Sequence, residues 1–255
     1  MDRCQQIERS INKKYRKAIW NRFVGGIKDY GMIQQGDKIA VCISGGKDSM
    51  LLAKCLQMLQ RYSELPFELV FLAMDPGYRV ENAKKVAENA RLLGLPLETF
   101  SARIFEVVNE SAKSPCYLCA RMRRGCLYKH AQELGCNKIA LGHHFDDVIE
   151  TTLMSMLYGA EMRTMMPKLH SAHYAGMQLI RPLYLVREAD IVAWARYNGL
   201  SFIRCACRVS EQNEAAGADG SKRQTVKKLI AQLEKENSNV GSNIFHSAEC
   251  VNLET

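Results

Sequence analysis

The apolar residues of this chain follow two alternating patterns, and together these patterns predict an α/β fold. Short apolar runs are typical of buried parallel strands, whereas apolar positions three or four residues apart are typical of helices. The predicted strands span 38–43, 67–74, 97–101, 138–142 and 178–183, and the predicted helices cover 50–59, 82–93 and 188–197. Because strands and helices alternate, we expect a doubly wound, mainly parallel sheet whose right-handed crossovers bury both faces.

The two ends of the chain have a different pattern. Residues 4–30 are predicted to form one amphipathic helix, because apolar residues recur at nearly every fourth position. These positions are Ile7, Ile11, Tyr15, Ile19, Phe23 and Ile27. The basic polar face of this helix is equally consistent with RNA phosphate contacts and with a solvated surface.

Further along, 159–175 is predicted to be a flexible substrate loop, 215–221 a linker and 222–236 a charged helix. The tail from Asn237 shows no pattern of order. We therefore expect a basic helical segment at 1–36, the main domain at 37–210, and a polar linker, charged helix and tail at 211–255.

Composition narrows the class of protein. A chain of 255 residues with 47% apolar content can bury a substantial core. The formal net charge of +8 suits an anionic partner such as nucleic acid, although ATP-using enzymes share such a charge. No apolar run is long enough to cross a membrane, and residues 1–20 lack the pattern of a signal peptide, so we expect a cytoplasmic protein. In a cytoplasmic protein, ten cysteines indicate metal, redox or catalytic use rather than disulfides.

The turn after the first strand has the residues that a phosphate site requires. Residues 44–49, Ser-Gly-Gly-Lys-Asp-Ser, lie between the strand and a helix. Gly45 and Gly46 let backbone N–H groups approach an anion, and the helix N-terminus adds unpaired donors and partial positive charge. Lys47 contributes a full positive charge, both serine hydroxyls can donate hydrogen bonds, and Asp48 can cap the helix or hold magnesium. The spacing differs from that of a Walker loop and of a dinucleotide fingerprint.

Polar residues follow two other strands, at the edge where open α/β sheets bind ligands. Asp75 can touch a nucleotide or its metal there, or can simply form a turn with the Pro-Gly that follows it. Gly142 ends a later strand and precedes a polar cluster that can position magnesium, the nucleotide or the acceptor. The cluster consists of His143, His144, Asp146, Asp147 and Glu150. Helix capping explains Asp146 or Asp147 alone, but not the whole cluster.

Four cysteines stand in contexts that suit chemistry. Cys116 and Cys119 have the Cys-x-x-Cys spacing that brings two thiolates to one metal, or into one disulfide, at a helix start. Arginines at positions 121, 123 and 124 follow, and we expect them to lower the thiol pKa values and to hold phosphates. Cys205 and Cys207 stand in a polar segment, which disfavours a core role for them.

The 44–49 turn resembles the pyrophosphate loop of the N-type ATP pyrophosphatases. Together with Cys116-x-x-Cys119 and the Gly-His-His-x-Asp-Asp segment at 142–147, it makes residues 7–207 similar to the TtcA family of tRNA 2-thiocytidine synthetases. The resemblance implies an adenine nucleotide alpha hydrolase-like (PP-loop ATPase) fold that binds ATP and Mg²⁺. It also implies adenylation of a cytidine at position 32 of the tRNA anticodon loop. The 2-oxygen is then replaced by sulfur delivered at a 4Fe-4S cluster on three cysteines.

The resemblance assigns roles to individual residues. Cys116 and Cys119 correspond to two cluster ligands. At the position of the third ligand, the family has a second Cys-x-x-Cys, whereas this chain has Cys205-x-Cys207. We favour Cys207 as the ligand and Cys205 as a persulfide carrier, although the alignment leaves that choice open. Lys47 and Asp48 are expected to act in catalysis with Cys205. The expected nucleotide-binding residues are Ser44, Gly45, Gly46, Lys47, Asp48, Ser49, Asp75, Gly142, His143, Asp146 and Asp147.

The implied partners are tRNA and a sulfur donor, either a cysteine desulfurase or sulfide. Family members are often homodimers, although the sequence shows no interface. Three other functions stay open. A tRNA lysidine synthetase has a similar loop but needs no cysteine set, and a tRNA uridine thiolase has similar cluster chemistry. A non-catalytic iron-sulfur or RNA-binding protein would not need an intact 44–49 loop.

Overall fold

Six strands form one sheet in a computed structural model that describes residues 2–102, 104, 115–203 and 221–250, without the side chains of 115–117. The strands are β1 (Lys38–Ile43), β2 (Glu68–Asp75), β3 (Leu97–Ser101), β4 (Lys138–Ala140), β5 (Lys168–His170) and β6 (Gln178–Ile180). Their order is β3-β2-β1-β4-β6-β5, and only β5 at the edge runs antiparallel to its neighbour. The predicted mainly parallel sheet is confirmed.

Helices cover the sheet and both ends of the described chain. They are α1 (Arg3–Asn12), a π-helical turn (Arg16–Trp20), α2 (Asn21–Asp29), α3 (Lys47–Tyr62), α4 (Val80–Leu93), α5 (Pro115–Glu133), α6 (Phe145–Gly159), α7 (Glu188–Tyr197), α8 (Lys222–Glu236) and α9 (Val240–Ser247). No helix in the described ranges combines the length and the apolar character that crossing a bilayer requires.

The central strand β1 is buried on both faces, as its apolar run predicts. Ile39, Val41 and Ile43 pack into the larger core, whereas Ala40 and Cys42 face a smaller core on the opposite side of the sheet. Two-sided burial is typical of a parallel strand between two layers of helices.

The strand order reverses at β1, which is the topological switch point of the sheet. The chain passes from β1 to β2 and β3 on one side, and then returns to place β4 on the other side of β1. Crevices at such switch points, outside the carboxyl ends of the strands, are where open α/β sheets bind ligands. The turn after β1 and the turn after β4 therefore lie side by side.

The N-terminal region differs from the single helix predicted over 4–30. The N-terminal helix is confirmed at Arg3–Asn12, but a turn and the π-helical segment separate it from α2. The amides of Tyr15 and Trp20 donate to the carbonyls of Ser10 and Tyr15, five residues earlier. A strict four-residue repeat drifts off one face of a 3.6-residue helix, so these wide turns return the apolar positions to the core.

Two further segments differ from the prediction. Strand β5 lies within 159–175, where a loop was expected, and pairs with β6 although all three of its residues are exposed. Helix α9 lies within the tail that showed no pattern of order. Its buried Phe245 stacks on Phe145 with ring centroids 4.7 Å apart. Helix α9 is therefore ordered by contact with a residue distant in sequence, whereas β5 is ordered by pairing with the next strand along the chain.

Candidate active site at the carboxyl edge of the sheet

The 44–49 turn forms a tight loop between β1 and α3. Gly45 has φ of +83°, and a Cβ there would lie 2.6 Å from Val86 and 2.7 Å from Ile203, so only glycine fits. The Ser49 hydroxyl accepts from the Ser44 amide at 3.2 Å and donates to the Gly46 carbonyl at 3.0 Å. Ser49 therefore holds the loop closed from inside.

A second glycine brings the neighbouring strand against this loop. A Cβ on Gly142 would lie 2.9 Å from the backbone nitrogen of Ser49, and it would also press on the backbone of Asp48. The absence of a side chain lets the turn after β4 contact the start of α3 directly. The 142–147 segment therefore begins in direct contact with the loop, at the sheet edge where it was predicted.

Lys47 lies between two carboxylates. Its Nζ is 3.1 Å from Asp48 Oδ2 and 2.8 Å from Oε1 of Glu188, the first residue of α7. Burial alone lowers the pKa of Lys47, but the two carboxylates outweigh burial and raise it. The ammonium group is therefore charged and poised at the mouth of the loop.

Glu188 is a site residue that the sequence prediction missed. Its second oxygen pairs with Lys227 of α8. Burial raises the pKa of Glu188, but hydrogen bonds from Lys227 and Lys47 outweigh burial and bring it to about 2. The only sequence signal was its place in the first turn of a predicted helix, because contact with Lys47 depends on the tertiary fold.

Asp48 keeps one oxygen available. Its Oδ1 is buried, has no hydrogen-bond partner and lies 3.9 Å from His144 Nε2. Burial raises the pKa of Asp48, whereas the charges of Lys47 and His144 oppose this shift. An orphaned carboxylate oxygen beside a phosphate-type loop fits an oxygen-ligated divalent cation.

The carboxylates of the 142–147 segment tie three helices together. His144 caps α6 by accepting from the Asp147 amide at 3.3 Å. Asp146 accepts from the Glu188 amide at 2.6 Å and pairs with Arg187 at 3.1 Å.

Asp147 and Glu150 of α6 are both 3.0 Å from Nη1 of Arg223 on α8. Arg223 is thus a second contact that the sequence did not reveal.

His143 is the exception in this cluster. Its Nδ1 is buried and has no hydrogen-bond partner. Burial and the nearby Arg181 guanidinium lower the pKa of His143 to about 4, so its imidazole is neutral at neutral pH.

Asp75 forms the turn that sequence analysis gave as one of its two roles. Its Oδ1 accepts from the amides of Gly77 at 2.9 Å and Tyr78 at 2.7 Å. This turn directs the Tyr78 hydroxyl to the Ser44 carbonyl, 3.1 Å away. Asp75 therefore supports the loop through Tyr78.

The cysteine-bearing helix faces the same cleft. Cys119 lies in the first turns of α5, is half-buried and packs in an apolar cluster with Met74 and Ile104. From the next turn, Arg123 donates to the Tyr78 hydroxyl at 3.3 Å. The Cys116 side chain, Cys205 and Cys207 lie outside the described residues, so the full predicted ligand set is not described.

These elements surround a cleft of about 820 Å³. Its polar lining comes from the loop, Arg123, and Glu188 and Arg196 of α7. Its apolar lining comes from other side chains of α7 and from the segment after that helix. The lining residues are Ser44, Gly46, Lys47, Asp48, Tyr78, Arg123, Glu188, Val192, Ala195, Arg196, Leu200, Phe202 and Ile203. A lining that combines polar groups for phosphates with apolar side chains for a base suits a nucleotide.

Comparisons with known proteins agree with this geometry. The family model of the PP-loop domain matches residues 5–211. The tRNA-cytidine(32) 2-sulfurtransferase of Geobacter sulfurreducens is 36% identical over 239 residues, covering 92% of this chain and 90% of that protein. The enzyme of the same name from Alcanivorax borkumensis is 35% identical over 251 residues, covering 97% and 86%.

A solved structure has the same fold. The U34-tRNA thiolase NcsA from Methanococcus maripaludis, solved with its [4Fe-4S] cluster, superposes with a TM-score of 0.71 at 20% identity, covering 90% of this chain and 76% of that one. The family suggested by the sequence motifs is confirmed. This chain belongs to the PP-loop domain family and, within it, to the group of the tRNA-cytidine(32) 2-sulfurtransferases.

Proposed function

We propose that this protein is an ATP-dependent tRNA sulfurtransferase that replaces the 2-oxygen of cytidine 32 with sulfur. The observation that carries the proposal is the shared cleft: the Lys47 loop and Arg123, from the helix that bears Cys119, line one cavity. An enzyme that activates a base with ATP and then delivers sulfur to it needs both groups within reach of the same base.

The first step is adenylation. The cytidine 2-oxygen attacks the α-phosphate of ATP, a new P–O bond forms, and the bond to pyrophosphate breaks. Lys47 and the amides of the 44–49 loop would hold the β- and γ-phosphates and stabilise the charge on the leaving pyrophosphate. Their action requires the Lys47 ammonium to exchange its contact with Glu188, 2.8 Å away, for a phosphate contact.

The second step is substitution by sulfur. A sulfur nucleophile at the oxidation level of sulfide forms a bond to C2, the C–O bond breaks, and AMP leaves with the former 2-oxygen. If Cys205 carries the sulfur as a persulfide, the outer sulfur attacks C2. A thiol reductant then breaks the S–S bond and forms a disulfide with the Cys205 sulfur. Adenylation is needed because the bare oxygen is a poor leaving group. One accessible anticodon-loop base can reach such a site without disruption of a duplex.

Two inorganic cofactors are part of the proposal. The orphaned Oδ1 of Asp48 would bind Mg²⁺, which shields the phosphate charges. Cys116, Cys119 and Cys207 would hold a 4Fe-4S cluster, which would supply a binding place for the sulfur when it is present. The half-buried position of Cys119 among apolar side chains suits such a thiolate-bound cluster.

The remaining assignments complete the proposal. The nucleotide site would include Ser44, Gly45, Gly46 and Ser49, with Asp75, Gly142, His143, Asp146 and Asp147 around it. The chain would be organised as the basic segment 1–36, the PP-loop domain 37–210, and the C-terminal part 211–255. A cysteine desulfurase or sulfide would supply the sulfur to a cytoplasmic enzyme, which could act as a homodimer.

The test is anaerobic turnover with unfractionated tRNA, ATP, Mg²⁺, sulfide and a thiol reductant. Nucleosides from the digested tRNA are then analysed by mass spectrometry. We expect 2-thiocytidine in reactions with the wild type. Lys47→Ala should lower the rate on the order of 10²–10³-fold, because a charge that stabilises the transition state is lost.

Control variants separate the steps. Lys28→Ala removes an exposed lysine far along the chain from the loop and should leave turnover unchanged. Cys119→Ala should lose iron and sulfide content as well as thiolation, while pyrophosphate release with tRNA persists. Formation of 2-thiouridine, or of lysidine in a parallel reaction that also contains lysine, instead of 2-thiocytidine would overturn the proposal in favour of the corresponding enzyme.

A further inference from the structure

A second cavity, of about 520 Å³, lies between α1 and the C-terminal end of α7. All the charged side chains that line it are cationic. Its lining residues are Arg3, Gln6, Arg9, Ser10, Lys13, Lys14, Tyr197 and Asn198. We call it the basic cavity. Four cations around one concavity favour an anionic ligand.

Within the described part of the chain, these cations have no carboxylate partner. Among the described residues, no carboxylate lies within ion-pair distance of Arg9, Lys13 or Lys14, whereas nearby Arg22 and Arg61 are paired with Asp190 and Glu8. Lys14 Nζ instead lies 3.9 Å from the centroid of the Tyr197 ring. Positive charge that is not neutralised internally is available to a ligand.

The floor of the basic cavity is a fixed hydrogen-bonded structure. Asn198 is 2% exposed, and its side-chain amide donates to the Ser10 hydroxyl at 3.0 Å and to the Trp194 carbonyl at 2.9 Å. The Arg3 guanidinium donates to the Asn198 carbonyl and thereby covers the C-terminal end of α7. The cavity is therefore preformed, so a ligand does not have to order it.

An aromatic ring completes the cavity. Tyr197 is 56% exposed and meets Tyr15 edge-on with ring centroids 6.0 Å apart. An exposed aromatic ring among cations is the combination that binds single-stranded nucleic acid, through base stacking and phosphate contacts. A site for a small free anion would not require the ring.

The position of α7 connects the basic cavity to the candidate active site. Val192, Ala195 and Arg196 of α7 line the nucleotide cleft, whereas Tyr197 and the adjacent Asn198 line the basic cavity. Only the C-terminal turn of one helix separates them. A polyanion in the basic cavity can continue past the exposed Arg196 into the cleft.

From these observations we propose that the basic cavity binds the phosphodiester backbone of the tRNA strand that flanks the target base. The proposal rests on the proposed tRNA function. It gives that function a second contact surface, which positions the RNA while the cleft performs the chemistry. Phosphate contacts of this kind fix register and orientation without reading sequence.

The test uses the double variant Arg9→Gln/Lys13→Gln in the full chain. Both side chains are exposed, so the fold should be retained, which a circular dichroism melt checks. The matched control, Lys28→Gln/Lys235→Gln, removes the same charge from exposed lysines at the ends of α2 and α8. Binding of unfractionated tRNA is followed by fluorescence anisotropy at several salt concentrations.

We expect the Kd of the double variant to rise on the order of tenfold, while the control changes less than about twofold. The slope of log affinity against log salt should become shallower by about 1.4 to 1.8, because two phosphate contacts are lost. The KM for tRNA should rise with the Kd, whereas the KM for ATP should stay unchanged. Lys13→Glu alone should weaken tRNA binding further than Lys13→Gln.

Three results would overturn the inference. If the double variant and the control lose equal affinity, the effect is one of net charge alone. If the double variant loses binding of inorganic tripolyphosphate but keeps that of tRNA, the basic cavity is a small-anion site. If the wild type neither binds nor thiolates tRNA, the proposed function fails as well, whereas the first two results leave that function standing.

Discussion

At the scale of single residues, the contact between Lys47 and Glu188 sets the state of the loop before nucleotide binds. Lys47 has two carboxylate neighbours, and Glu188 has two lysine neighbours. A triphosphate that enters the loop therefore competes with Glu188 for the same ammonium group. Glu188 is a negative charge in the path of an anionic substrate, and its removal should favour substrate binding.

We predict that Glu188→Gln lowers the KM for ATP about fivefold, since a partly exposed ion pair of this kind contributes on the order of 1 kcal/mol. The measurement is ATP-dependent pyrophosphate release at saturating tRNA. The control is Glu234→Gln, which removes a carboxylate paired with Arg187 that no contact joins to Lys47. A KM for ATP that stays equal or rises in Glu188→Gln would contradict the competition.

At the scale of secondary-structure elements, the sequence predicted best those elements whose order is local. The limits of β1, β3, α7 and α8 agree with their apolar or charged patterns, and α4 ends at Gly94, which has the left-handed conformation that glycine favours. The 44–49 turn was predicted as a phosphate loop because glycine, lysine and helix start are adjacent along the chain. These signals require no knowledge of distant residues.

Helix α9 and two residues of the candidate site were missed because they depend on contacts that are remote in sequence. Helix α9 has eight residues, too few to be stable alone, and it is held by Phe245 against Phe145 and Tyr184. Glu188 and Arg223 were missed for the same reason, because α7 and α8 bring them close to segments that are far away in sequence. The spacing of apolar residues along the chain cannot reveal such tertiary contacts.

The attachment of α9 gives a prediction at this scale. Phe245 is 3% exposed and packs between two aromatic rings. Phe245→Ala should lower the free energy of unfolding by about 3 kcal/mol, or the Tm by roughly 10 °C, because a buried ring is replaced by a cavity.

Leu229→Ala on α8, where the side chain is 38% exposed, is the control and should change the Tm by less than about 3 °C. Thermal melts followed by circular dichroism measure both variants. If Phe245→Ala melts like the wild type, α9 does not contribute to the stability of the core.

At the scale of the whole molecule, the charges divide into paired and unpaired groups. Around the cleft, α8 supplies cations to the carboxylates of α6 and α7, through Arg223 and Lys227. On α1, the cations of the basic cavity have no such partners among the described residues. The unpaired cations of the basic cavity are thus part of the net positive charge of +8 that an anion can contact.

Two partly buried groups near the cleft connect this charge distribution to stability at low pH. His143 has a pKa lowered to about 4 by burial and by Arg181, and Glu188 has a pKa of about 2 because its lysine partners outweigh burial. Both folded values lie below the ordinary ones, so the unfolded chain binds more protons and acid favours unfolding. The groups that act on the His143 imidazole are Arg181, Asp147, Arg124 and His144.

We therefore predict that the free energy of unfolding falls in two windows as the pH is lowered. His143 contributes fully above its ordinary pKa of about 6.5, and its contribution is lost between pH 6.5 and 4. Glu188 contributes fully above about 4.5 and is lost toward pH 2. His143→Gln should flatten the first window, by at most roughly 3 kcal/mol, and leave the second. His173→Gln, at an exposed position, should change neither. Urea titrations between pH 7.5 and 3 measure the first window and the upper part of the second. A His143→Gln curve parallel to that of the wild type would show that folding does not lower the pKa of this imidazole.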